Sequence, residues 1–503
     1  MPVSEPQKKS ASRALPITDQ FRAFVQQGWA ASSAESPAPA AVAPYAAVRR
    51  GQAGAAFPGD RLVIPAGGLA VRSNDTDYPF RPHSAFAHLT GQGADADPDA
   101  VLVLHPRPDS DGGGHDAVLY LLPGAGRGTE ESFANSRIGE FWVGPRPTLE
   151  EVEAVYGVPT RHLDQLADDL AKDAGEVALR VVRDADADVA ALVDEVRTAA
   201  GLATDEVTLE QDEALAAYLS VLRIIKDAWE IEQLRAAIAA THVGFDAVIA
   251  DLAGAVQRGR GERWIEGLFG LHARHAGNGV GYDSICAAGD HANTLHWIKN
   301  TGDVRPGDLV LLDAGVEVDS LYTADITRTL PVEGTFSNAQ REIYDAVYAA
   351  QQAGLAAVRP GATFSDVHAA AIRVIAAHLH AWGLLPEGVS VEDTLDTETG
   401  QYHRRWMVHG TSHHLGLDVH DCALATREQY NDATLVPGMV LTVEPGLYFK
   451  ADDELAPERF RGIGVRIEDD VLVTDTGHEV LSAAMPTSSA DVEAWIARIQ
   501  SAK

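Results

Sequence analysis

The chain has 503 residues with ordinary apolar (46%) and charged (22%) shares, so a soluble globular protein of two domains is expected. It carries 40 basic and 73 acidic side chains, a formal charge of −33 that disfavours nucleic acid and anionic membranes as partners. Cys286 and Cys422 form no cluster, no apolar run reaches the roughly 18 residues of a membrane span, and the opening MPVSEPQKKSASRALP lacks the apolar segment of a secretion signal, so a cytoplasmic protein is expected.

Residues 30–47 (AASSAESPAPAAVAPYAA) are rich in Ala, Pro and Ser and offer little apolar surface to offset ordering entropy. The stretch 1–47 therefore reads as a flexible extension. The runs RLVIPAGG (61–68), AVLVLHP (100–106) and AVLYLLPG (117–124) predict buried strands by length and β-branched content. From Thr148 the spacing turns helical, in LEEVEAVYG and then LDQLADDLAKDAG, each closed by glycine. These elements make 48–215 a mixed α/β domain. Asp227 predicts the cap of a long helix, WEIEQLRAAIAATHVGFDAVIADLAG, that opens a second domain over 216–503. Strands dominate beyond Gly302, interrupted by helical segments at 338–358 and 364–382, which argues for an α+β arrangement.

Within that domain, DLVLLDAG (308–315) ends an apolar strand on Asp313, and Asp325 opens a β-prone run in TADITRTLP. The intervening VEVDSLY could form a hairpin that brings the two carboxylates face to face, where they repel unless a cation lies between them. Taken alone, such a pair reads more readily as a turn cap and a solvated edge than as a cation site. Glu444 ends the strand of GMVLTVEPG (438–446), and in GIGVRIEDDVLVT (462–474) alternation puts Arg466 and Glu468 on one face. A buried Arg466–Glu468 salt bridge would account for that pair by itself. One shared cation site is nevertheless a more economical account than four separately partnered acids.

The stretch MVHGTSHHLGLDVHD (407–421) holds four of the 19 histidines, His409, His413, His414 and His420, with Gly410 and Gly416 allowing a close turn. Imidazole is the usual nitrogen ligand and the usual acid–base group near pH 7. No HExxH occurs, GTSHH lacks the last glycine of a nucleophile elbow, GAGRG (124–128) lacks the third glycine of a dinucleotide fingerprint, and thiolate coordination is excluded by cysteine count.

The stretch His409–Asp421 closely resembles the signature shared by aminopeptidase P and proline dipeptidase. DAG at 313–315, DITRT at 325–329, EPGLY at 444–448 and GVRIED at 464–469 follow that family's order, and YPFRPHSAFAHLTG (78–91) resembles a segment of aminopeptidase P. The resemblance implies a C-terminal pita-bread catalytic domain behind a smaller α/β domain. It implies two divalent ions, Mn²⁺ first among them, with Asp313 on one, Asp325 and Glu468 bridging, and His413 and Glu444 on the other. A hydroxide between the ions would be the nucleophile, Glu444 would manage its proton, and His296, His409 and His420 would position substrate. Arg466 would organise the acids or receive the downstream peptide. The implied activity is release of the first residue from peptides with proline second, by a homo-oligomer, dimer or tetramer. The rivals are a proline dipeptidase, a metal-free creatinase-like hydrolase and a non-enzymatic peptide-binding module of the same fold. Two departures stand out. The step from Asp313 to Asp325 is one residue longer than usual, which is expected to be absorbed in the EVDSLY turn as a bulge. Ala87 and His88 stand where bulky aromatics often flank the substrate entrance.

Overall fold

The computed structural model describes residues 18–29, 37–74, 76–108, 112–127 and 129–502, which divide into two compact units, Met1–Leu219 and Ser220–Lys503. The three apolar runs expected in the first unit are strands Arg61–Pro65, Val101–Pro106 and His115–Leu121. They form the antiparallel centre of a five-stranded sheet, with Leu179–Val181 and Thr160–His162 added parallel at the two edges. Val63, Val103, Tyr120 and Val181 from the sheet pack with Leu166, Leu170 and Val193 from helices. Thr148 caps Leu149–Tyr156 in a reciprocal box with Glu151.

Helix Ala43–Ala56 starts inside the stretch expected to be an extension. Ala46, Ala53, Arg49 and Arg50 are buried there, and the two guanidiniums donate to the carbonyls of His88 and Leu89. A short helix, Asp19–Val25, also lies in that stretch, while 1–17 and 30–36 fall outside the described residues. Ala87 and His88 are interior residues of helix Ser84–Thr90 and both are buried.

In the second unit Asp227 caps helix Ala228–Ala250 in a box with Glu230. The expected single helix breaks at Asp251 and turns by 55° into Leu252–Arg258. The Asp251 carboxylate accepts from Trp264 Nε1 at 2.8 Å, a partner too far along the chain to be read from helical spacing. Strand Leu309–Ala314 lies between Ile326–Pro331 and Ile285–Ala288, antiparallel to both. Its pairing with Ile326–Pro331 sets Asp313 opposite Thr327, and Glu317 pairs with Thr323 in the same register. The hairpin closes with Val318 N–H donating to Tyr322 and Leu321 N–H donating to Val318. Leu321 is left-handed, φ 70, and wholly buried. The longer step is therefore taken up at the hairpin tip, and Asp313, Asp325 and Thr327 share one face. Gly315 makes the close approach possible, since a Cβ there would meet the Ala324 carbonyl at 1.7 Å.

Three further sheets complete the unit: Val316–Glu317 with Gly279–Val280, Val440–Val443 with Asp469–Val473 and His478–Val480, and Gly446–Phe449 with Ile463–Arg466. Helices Asn338–Ala357 and Phe364–Ala381 contribute Leu355, Phe364 and Val367 to a core with Leu441, Val443, Val471 and Val473. Among the described residues no single helix is long and apolar enough to cross a membrane.

Candidate metal centre

The strand ends of the second unit bring their acids to one buried place. Tyr282 Oη lies 2.7 Å from Asp313 Oδ1 and 2.6 Å from Asp325 Oδ1, so one phenol spans both carboxylates. Arg466 Nη2 donates to Asp313 Oδ2 at 2.5 Å, and its Nε donates to Thr327 Oγ1. The guanidinium thus pairs with Asp313, and the Arg466–Glu468 bridge weighed from the sequence is not formed as a contact. Glu468 Oε2 instead accepts from the Thr327 hydroxyl at 2.8 Å.

His413 faces these acids edge-on. Its Nδ1 donates to the His414 carbonyl at 3.0 Å, which leaves Nε2 turned toward Asp325 (3.1 Å), Glu444 (3.7 Å) and Glu468 (4.0 Å). A neutral imidazole so oriented points a lone pair at carboxylate lone pairs, an arrangement that needs a proton or a metal ion between them. Donor atoms of Asp325, His413 and Glu468 lie within 4.8 Å of one another. Ligands at about 2.1 Å from a common ion span up to about 4.2 Å, so a small inward shift closes the set.

The electrostatics are those of a centre short of positive charge. Burial raises Asp313, opposed by Arg466 and reinforced by Asp325. Burial pushes Glu468 well above the carboxylate range, with Asp325, Glu444 and Asp313 adding to it. Glu444 is pushed up to about 7, by burial against the pull of His413 and Arg466. Burial lowers His413, but Asp325 and Glu444 outweigh it and carry the imidazole to about 9. Four carboxylates with one guanidinium and one imidazole fit the binding of divalent metal.

The remaining candidates lie round this set. His409 Nε2 is 2.7 Å from Tyr448 Oη and its Nδ1 is 2.6 Å from the Gly410 carbonyl, so Nδ1 carries the proton and Nε2 accepts. Tyr448 in turn accepts from Arg466 Nη1 at 3.1 Å. His409 is lowered to about 3, by burial first and then by Arg466, and is neutral at pH 7. The His420 ring stands edge-on to His413 at 4.5 Å. His296 is exposed on a loop, within electrostatic reach of His409 and His420. His414 is set apart from the site: it is wholly buried, its ring against Phe364 and Tyr430.

The match to Metallopeptidase family M24 covers residues 232–475, and the match to the aminopeptidase P N-terminal domain covers 46–181. Xaa-Pro aminopeptidase 2 of Streptomyces coelicolor is 51% identical over 96% of this chain and 97% of that one. The chain belongs to the Xaa-Pro aminopeptidase family. Proline aminopeptidase P II from Yersinia pestis superposes with a TM-score of 0.76 at 30% identity, over 90% of this chain and 99% of the other. A zinc-substituted aminopeptidase P from E. coli, in complex with product, matches with a TM-score of 0.76 at 30% identity, over 90% and 98%. The pita-bread fold behind an α/β domain, expected from the motifs, is that of this Xaa-Pro aminopeptidase family.

Several residues of the site escaped sequence reasoning. Tyr448 and Thr327 lie inside the quoted EPGLY and DITRT motifs, yet only the fold reveals that they brace Arg466 and Glu468. Tyr282 sits just ahead of strand Ile285–Ala288, where nothing local distinguishes it from a core tyrosine. Asp470 is buried, its Oδ2 accepting from the Asp325 N–H, and burial followed by the Asp325 charge drives its carboxyl well upward.

Proposed function

We propose that Asp313, Asp325, His413, Glu444 and Glu468 would hold two divalent ions, Mn²⁺ in the resident form. The protein is a metal-dependent hydrolase that removes the N-terminal residue ahead of proline. The observation that carries this reading is the convergence of three carboxylates, Asp325, Glu444 and Glu468, on one imidazole nitrogen, with a fourth, Asp313, held beside them by Arg466. When bound, the ions supply an ionised water near neutral pH and polarise the peptide carbonyl before proline.

The chain's own groups do the rest. Glu444 takes the proton released in the attack and returns it to the departing proline nitrogen. His409 stays neutral and is held by Tyr448, while Arg466 fixes Asp313 and Tyr448 together. His296 and His420 orient the peptide at the rim. We place the enzyme in the cytoplasm, on its two buried unpaired thiols, and infer a homo-oligomer, dimer or tetramer, from the family resemblance.

The test is an assay of chelator-stripped protein on an Xaa-Pro-Yaa tripeptide, an Xaa-Pro dipeptide and an Xaa-Ala-Yaa control. Restored cleavage of the tripeptide with Mn²⁺, and little of the other two, is expected. Equal or faster cleavage of the dipeptide would make the protein a proline dipeptidase, and no metal-restored cleavage would remove the peptidase reading.

A further inference from the structure

A single carboxylate outside the metal centre gathers the loop that carries His296. Glu262 stands in the first turn of helix Gly261–Ala276 and is wholly buried. Its Oε1 accepts from the Ala288 N–H at 2.9 Å and from His291 Nδ1 at 2.6 Å. Its Oε2 accepts from Trp297 Nε1 at 2.8 Å and from the Gly302 N–H at 2.5 Å. Ala288 and Gly302 are the two ends of the 289–301 loop, and His291 and Trp297 are side chains within it, stacked on each other at 4.0 Å. Gly302 permits the approach, because a Cβ there would lie 2.7 Å from the His291 ring and 2.8 Å from the Glu262 carboxyl.

We propose that Glu262 is a positioning residue for the peptidase reaction: it closes the loop from inside and so aims His296 at the substrate. The clamp leaves His296, next to Trp297, exposed within electrostatic reach of His409 and His420. The same loop is tied to the strand bearing Tyr448, through Asn293 to the Phe449 carbonyl and the Ala451 N–H to Asp290. Four N–H donors need four lone pairs, and only an ionised carboxylate supplies them all. An amide would set its NH₂ against two of those donors, so Glu262→Gln is not conservative here.

This inference rests on the proposed role of His296, and a double-mutant cycle separates the two. Kinetics of Xaa-Pro-Yaa cleavage are measured for the wild type, E262Q, H296A and the double variant, each loaded with Mn²⁺ and checked for metal content. E262Q is expected to lower kcat/KM about 10- to 100-fold, the range for supporting residues, with metal content unchanged. In the H296A background the same substitution should cost less than about 3-fold, because the two act as a unit. W297F, which removes one donor, should show a smaller loss that also vanishes in H296A. Losses that multiply would overturn the proposal and leave Glu262 a purely structural residue. An H296A enzyme as active as the wild type would overturn the role of His296 and this inference with it. A wild type that cleaves no Xaa-Pro peptide at all would instead mark the failure of the peptidase reading itself.

Discussion

Two clusters of charge in this chain are built on opposite terms. In the first unit Asp194 and Asp212 meet Arg183 and Arg197: Arg197 donates to both carboxylates, and Arg183 does the same. Two acids face two guanidiniums, and Asp194 is held below its ordinary value, chiefly by its hydrogen bond to Arg183. In the second unit four carboxylates share Arg466 and His413, and Asp313, Glu444 and Glu468 are all raised. The balanced cluster is a structural device, complete as the chain supplies it. The unbalanced one is complete only with cations from outside, and that deficit separates a binding centre from an ion-pair network.

The sharpest way to break this contrast is to remove one charge from each cluster. Glu468→Gln should lose at least one metal ion by elemental analysis and cost more than the roughly 100-fold drop in activity expected of a supporting residue. Its metal-free form should melt no lower than the wild type, because burial and the neighbouring acids already disfavour a charged carboxylate there. A metal-free variant that is clearly less stable would place Glu468 with the structural networks. Arg197→Met should do the reverse, costing about 1–3 kcal/mol of stability as buried Asp212 keeps only Arg183 and the Val181 N–H. Thermal melts and activity per folded molecule read the two effects separately. A change in metal content there would blur the distinction.

Much of the centre was legible because the chemistry lies in contiguous motifs: strand-ending acids at Asp313 and Glu444, and a histidine run around His413. Alternation placed Arg466 and Glu468 together, since a period of two is local. What escaped depends on contacts across long stretches of chain. The Arg466–Asp313 pair spans 153 positions, and the Tyr282 bridge to Asp325 spans 43. The left-handed Leu321 was also hidden, because a buried leucine carries no turn signal of the kind glycine or asparagine would. The helix starting at Ala43 looked like linker because its composition is alanine-rich, and only its tertiary contacts order it.

The most direct test of the cation deficit is a calorimetric titration of Mn²⁺ into chelated protein across pH. Glu444 and His413 hold protons in the metal-free centre up to about 7 and about 9, so metal binding must displace them. By the same shifts, the stability these two groups lend the metal-free protein is present at low pH. It is lost as pH rises from the usual 4.5 and 6.5 through those values. The account predicts two ions per chain, bound with proton release, and an affinity that strengthens as pH rises toward about 9. No more than one ion per chain, or an affinity indifferent to pH, would contradict it.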